Sequence, residues 1–175
     1  MIALFGGAFD PPHLGHVLAA TYARVRHGVE AVWVLPTCRH PWGKATTPFA
    51  QRLAWCRAAF ADLPFVAVRD DEQDNASGTT WDLLDRLEAA HPRARFALLG
   101  GSDTGRDMAS WHRGGELSRR LPVLVVPRRG QGGDADPAAL PAISSSLVRQ
   151  RLAEGKPIDD LLPAAVARLI VPLTP

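Results

Sequence analysis

Ile2-Ala3-Leu4-Phe5-Gly6-Gly7-Ala8-Phe9-Asp10-Pro11-Pro12-His13-Leu14-Gly15-His16 opens the chain and decides how the rest is read. Four apolar residues followed by two glycines describe a buried strand running into a loop where no Cβ keeps backbone N–H groups from an anion. A helical pattern starts at His16, so two imidazoles three residues apart stand where a helix turns its positive dipole end toward the same space. Together these features predict a phosphate site. Two plainer readings compete with it. Gly-Gly with Asp-Pro-Pro also describes a tight loop and nothing more. Paired histidines at a helix start also suit zinc, which needs further ligands that neither Cys38 nor Cys56 offers in a paired motif.

Outward from this stretch, short continuous apolar runs alternate with longer amphipathic ones. Residues 2–5, 31–35, 65–68, 96–99 and 123–126 read as strands buried on both faces. Helices are expected at 16–27, from Thr47-Pro48 (an N-cap followed by a first-turn proline), from Thr79 or Thr80 to 90, irregularly within 103–119, and at 144–154 and 159–170. Strand–helix alternation of this kind predicts an α/β fold: a Rossmann-like doubly wound parallel sheet of about five strands with flanking helices, right-handed crossovers and a C-terminal helical segment. Ligands are then expected at the carboxyl ends of the strands. The stretch 128–141, with three glycines and two prolines, reads as a long mobile connection, and the acidic run 70–74 as a solvated loop.

Composition sets the class. A chain of 175 residues with 46% hydrophobic and 22% charged residues is ordinary for one globular core. The formal net charge of +2 gives no ground for a nucleic-acid or membrane partner. Lys44 and Lys156 are the only lysines, so a lysine in a Gly/Pro-rich loop draws notice. Two distant cysteines make no disulfide framework, no apolar stretch approaches the ~20 residues of a membrane span, and the N-terminus lacks a signal-peptide pattern. A soluble cytoplasmic protein is expected.

A second segment, Ile143-Ser144-Ser145-Ser146-Leu147-Val148-Arg149, precedes a helical pattern. Its hydroxyls suit a helix cap, and the same free N–H groups suit phosphate oxygens. The N-terminal segment resembles the His-x-Gly-His motif of the nucleotidyltransferase superfamily, in the Gly-Gly-x-Phe-Asp-Pro-x-His form of bacterial nicotinate (nicotinamide) mononucleotide adenylyltransferases. Ser144 to Arg149 resembles the Ile-Ser-Ser-Thr-x-x-Arg element of the same family, with Ser146 in place of threonine. Gly101-Ser102-Asp103 resembles its Gly-x-Asp, Trp111 its pyridine-stacking tryptophan, and the segment 36–44 its proline-rich loop ending in a lysine, here Lys44. One match is incomplete. The family's Ser-Tyr-Thr-x-Asp-Thr-Leu appears as Gly78-Thr79-Thr80-Trp81-Asp82-Leu83-Leu84, which bears on acid-versus-amide choice, and the tail at 171–175 lacks the family's tyrosine.

The resemblance implies a single nucleotidyltransferase domain over residues 1–175. It implies transfer of AMP from ATP to nicotinate or nicotinamide mononucleotide with release of pyrophosphate, in NAD biosynthesis. His13, His16 and Arg149 are then catalytic. Gly6, Gly7, Ala8, Phe9, Lys44, Gly101, Asp103, Ser144, Ser145 and Ser146 meet ATP and its phosphates, Thr80 and Trp111 meet the acceptor, and Mg²⁺ arrives with ATP. Imidazole suits stabilisation of the α-phosphate because it donates hydrogen bonds in either protonation state and charges easily near neutral pH. Arg149 offers guanidinium geometry to the departing pyrophosphate.

Rival readings have their own signatures. A phosphopantetheine adenylyltransferase or a cytidylyltransferase would share His-x-Gly-His, but Pro141-Ala142 stand where a cytidylyltransferase carries the end of Arg-Thr-x-Gly. An aminoacyl-tRNA synthetase would be longer, with a lysine-rich loop. A P-loop kinase needs an earlier glycine and a following hydroxyl around Gly43-Lys44-Ala45. A dehydrogenase needs Gly-x-Gly-x-x-Gly after its first strand. A non-catalytic nucleotide sensor would have no use for His13, His16 and Arg149 together.

Overall fold

The computed structural model describes residues 1–39, 46–130 and 133–170. Five strands form one all-parallel sheet: β1 (Ile2–Gly7), β2 (Ala31–Pro36), β3 (Val66–Val68), β4 (Phe96–Gly101) and β5 (Val123–Val126), in the order β3-β2-β1-β4-β5. Consecutive strands are parallel, so each must be followed by a crossover, and helices supply them. These are α1 (Leu14–Arg26), α2 (Phe49–Phe60), α3 (Thr80–Ala90), α4 (Thr104–Asp107) and α5 (Gly114–Arg120). The chain closes with α6 (Ser145–Ala153) and α7 (Ala164–Ile170).

Both faces of the sheet are covered, which is why its strands read as unbroken apolar runs. Ala3, Phe5, Val32 and Val34 face one layer with Ala19, Ala20 and Ala23 of α1, Trp55, Cys56 and Phe60 of α2, and Val148 and Val166 of the last two helices. Leu4, Trp33, Leu35 and Leu98 alternate to the other face and meet Trp81, Leu84, Leu87, Leu117 and Leu121.

Strand order and register together open a cleft. The chain leaves the β3 edge, recrosses the sheet and returns as β4 beside β1, which makes the β1–β4 boundary the topological switch point. Pairing between these two strands runs only from Ile2↔Phe96 to Leu4↔Leu98. β1 stays paired with β2 as far as Gly7↔Pro36, and β4 with β5 as far as Gly101↔Val126. The carboxyl halves of β1 and β4 therefore part from each other while each keeps its outer neighbour.

Several boundaries differ from the sequence reading. β1 and β4 continue through their glycines, because each is still held by its outer neighbour. Helix α1 starts at Leu14 with His13 as its N-cap, so His16 lies inside the first turn. Helix α2 starts at Phe49, and Thr47 does not cap it: its N–H donates to Asp10 Oδ2 at 3.2 Å. α7 is only seven residues long, since Pro163 precedes it and the backbone before it forms turns. The two ends of the stretch read as a long mobile connection are bridged, Arg128 to Leu140. Asp71–Asp74, within the run read as a solvated loop, form a 3-10 turn whose Glu72 is 7% exposed.

Candidate active site

A cavity of about 490 Å³ occupies the cleft between the parted ends of β1 and β4. Leu4, Phe5, Gly6 and Gly7 line one wall and Leu98, Leu99, Gly100 and Gly101 the other. A Cβ on Gly6 would meet no atom within 4 Å, so its backbone faces open space. A Cβ on Gly100 would stand 2.2 Å from Thr104 Oγ1, so only glycine lets α4 begin this close to the strand. A hollow of equal volume beside Arg151 and Lys156 is a different matter, because its charges already pair with Asp160 and Glu154.

His16 lines the cavity and is built in from below. The backbone N–H of His13 donates to His16 Nδ1 at 3.1 Å. Since Nδ1 accepts, the proton of the neutral ring sits on Nε2, which leaves that nitrogen a donor. The two imidazoles stack with centroids 3.7 Å apart and planes 27° off parallel. Phe9, in the left-handed region at φ 47°, closes the other side with its ring 4.7 Å from that of His16. Gly15 makes the stack possible, because a Cβ there would lie 3.0 Å from His13 Cε1 and Nδ1.

Burial changes the protonation expected from sequence. His13 is 3% exposed, and burial, aided by the charge of Arg128, lowers its pKa to about 4. His16 is lowered well below 6.5 by burial, then by His13 and Arg128. Both rings are neutral at pH 7 in the free protein, whereas the motif alone suggested easy charging near neutrality.

Gly6, Gly7, Ala8, His16, Gly101, Thr80 and Trp111 all line this one cavity. Asp103 stands at the N-cap position of α4 without a side-chain capping bond, with Oδ1 2.6 Å from where a Cβ of Gly101 would be. The Phe9 side chain is in the core, leaving only its backbone for a ligand. Lys44 lies outside the described residues. The α6 residues sit one step back from the cavity. Ser144 caps that helix by accepting from Leu147 N–H at 3.2 Å, and Ser145 Oγ donates to the carbonyl of Pro11 at 2.8 Å. Arg149 donates to the carbonyl of Asp10 and to Ser146 Oγ. Helix α6 thus grips the Asp10-Pro11 loop, bringing the two sequence motifs together.

Three residues that sequence reasoning passed over matter here. Arg52 is 1% exposed and donates to the carbonyls of Ala8 (2.6 Å), Thr47 (2.7 Å) and Thr37 (2.8 Å), tying the loop after β1 to the loops on either side of 40–45. Its signal was its place at i−4 from Cys56 on the buried stripe of α2. Glu72 lines the cavity, its carboxyl pKa raised by burial, and accepts from Asn75 Nδ2 at 2.9 Å. The same Asn75 nitrogen donates to the carbonyl of Thr79, fixing the turn that carries Thr80. Arg128, after β5, also lines the cavity.

N–H, O–H and guanidinium groups gathered at a glycine-walled switch point suit phosphate oxygens. This is the chemistry of nucleotidyl transfer, and the chain is an enzyme of the nucleotidyltransferase class. Residues 4–151 match the Cytidylyltransferase-like family. A relative from Anaeromyxobacter sp. (strain K), named as a nicotinate-nucleotide adenylyltransferase, is 42% identical over 97% of this chain and 92% of its own. One of the same name from Myxococcus xanthus is 40% identical over 93% and 87%. Among solved structures, a nicotinate-nucleotide adenylyltransferase from Vibrio parahaemolyticus superposes with TM-score 0.76 at 26% identity, over 97% of this chain and 98% of that one. The fold is also that of Plasmodium falciparum nicotinic acid mononucleotide adenylyltransferase complexed with NaAD: TM-score 0.79, 22% identity, 97% and 93% covered. The chain belongs to the nicotinate-nucleotide adenylyltransferase family. Enzymes of this family generally use a divalent metal with ATP. No helix among the described residues is long and apolar enough to cross a membrane.

Proposed function

We propose that residues 1–175 act as one nucleotidyltransferase domain that moves the adenylyl group of MgATP to nicotinate mononucleotide, or its amide, in the cytoplasm. The observation that carries this reading is the His13 N–H···Nδ1 bond, which makes His16 Nε2 a fixed donor beside the Gly6–Gly7 backbone at the β1–β4 cleft. The names of the relatives supply the acceptor class.

A phosphate oxygen of the mononucleotide attacks the α-phosphorus of ATP, a new P–O–P bond forms, and the bond to the bridging oxygen breaks. Pyrophosphate leaves with the electron pair. Negative charge grows on the α-phosphate oxygens, where a donor already aimed lowers the barrier without reorganisation. His16 is that donor. His13 holds its tautomer and orientation, and Arg149 and the start of α6 take the leaving phosphates as the Asp10-Pro11 loop adjusts. Thr104, Thr37 and Arg128 in the lining are hydroxyl and guanidinium groups that fit phosphate, so Mg²⁺ fits as a cation carried by phosphate oxygens and water. Lys44 is assigned to the phosphates from its motif. Trp111 and Thr80 receive the pyridine ring and its substituent. Incubation with MgATP and, separately, nicotinate mononucleotide, nicotinamide mononucleotide and phosphopantetheine, following pyrophosphate, tests the reading. Release with phosphopantetheine alone would overturn it.

A further inference from the structure

Arg128 stands two residues beyond β5, and its backbone is fixed from three sides. Arg129 N–H donates to Leu140 O at 3.0 Å, Leu140 N–H to Pro127 O at 2.9 Å, and Gly133 N–H to Arg128 O at 3.2 Å. A Cβ on Gly133 would stand 2.5 Å from Arg128 N, so that approach requires glycine. The side chain so anchored is left short of an acceptor among the described residues. Its Nε is buried without a hydrogen-bond acceptor among the described residues, although such orphans are costly and rare.

The other buried and partly buried arginines, and the exposed Arg149, are occupied. Arg69, Arg120 and Arg151 each reach a carboxylate at 2.6–2.7 Å. Arg52 and Arg149 reach backbone carbonyls. Arg128 instead lines the cavity, close enough for its charge to disfavour protonation of both imidazoles. A guanidinium left short of an acceptor, lining the same space as the donor ring of His16, makes a site for an anion. Strand order says which anion. Arg128 lies on the β4–β5 side with Gly101 and Asp103, whereas Glu72 and Thr80 follow β3 at the opposite edge.

We propose that Arg128 is a phosphate-binding residue of this cavity, its guanidinium donating to oxygens of the ATP polyphosphate and of the departing pyrophosphate rather than to the acceptor's phosphate. This rests on the adenylyltransferase reading for the identity of the nucleotide.

The test titrates the full chain and its Arg128→Gln and Arg128→Lys variants with MgATP, magnesium pyrophosphate and nicotinate mononucleotide, by calorimetry. In Arg128→Gln the first two affinities fall roughly ten- to a hundredfold, Arg128→Lys recovers part of the loss, and mononucleotide affinity stays within about threefold. Unchanged ATP and pyrophosphate affinity in a folded glutamine variant overturns the proposal, as does a loss confined to the mononucleotide. Should that variant not fold, the Arg128 Nε–H resonance of the wild type decides. It moves on adding pyrophosphate, and a resonance unmoved at saturation overturns the proposal. Dinucleotide synthesis by the wild type is assayed separately. Arg128-dependent ATP binding without synthesis refutes the adenylyltransferase reading alone, and synthesis with Arg128-indifferent ATP binding refutes the Arg128 proposal alone.

Discussion

His13 and His16 are coupled twice: the backbone of the first donates to Nδ1 of the second at 3.1 Å, and their rings stack at 3.7 Å. The N-cap position of α1 thereby sets the tautomer of a ring inside its first turn.

Gly15→Ala puts a methyl group 3.0 Å from the His13 ring in a layer that also holds Ile143. Overpacking of this kind costs about 1–3 kcal/mol, and here it tilts the stack. Expected are a melting temperature lower by a few degrees and kcat reduced about tenfold or more through misplaced His16. Unchanged kcat would detach the stack from catalysis.

Stability should fall with pH through His13. Its pKa is about 4 in the folded protein and about 6.5 when unfolded. Between those values the unfolded chain binds more protons, so the full contribution is present above about pH 6.5 and is lost progressively toward pH 4. The loss is on the order of 3 kcal/mol. Urea midpoints from pH 7 to 4, compared with His13→Gln, measure it. A parallel dependence in both proteins would contradict the assignment.

Arg52→Met removes three hydrogen bonds from a guanidinium to backbone carbonyls. With those carbonyls left unpaired, the expected destabilisation is about 3–5 kcal/mol, read from urea unfolding. A change below about 1 kcal/mol would mean the loops hold themselves.

How much of this could be read in advance depends on what fixes each residue. The strands were legible because a parallel sheet covered on both faces demands unbroken apolar runs, and Ala3 to Phe5 and Val32 to Leu35 obey. His13, Gly15 and His16 were legible as a motif, since backbone turn, ring and helix start are local in sequence. Arg52 and Glu72 were missed because a charged residue reads as solvated until tertiary contacts bury it, and their partners lie in other segments or one turn away. Arg128 looked like any arginine in a Gly/Pro-rich loop, for the Gly133 and Leu140 contacts that pin it form only once the loop folds back. The roles of Ser145 and Arg149 were half legible: the cap was local, but their grip on Pro11 and Asp10 spans 134 and 139 residues.

Dinucleotide formation by His16→Ala, with MgATP and nicotinate mononucleotide saturating and MgATP affinity measured alongside, tests the central claim most directly. The predicted result is a wild type that forms the dinucleotide and pyrophosphate in equal amounts, and a variant with kcat lower by about 10²–10³ while MgATP binds within about threefold. A variant kcat within about tenfold of the wild type would contradict it, because a fixed donor to the α-phosphate is worth more than that.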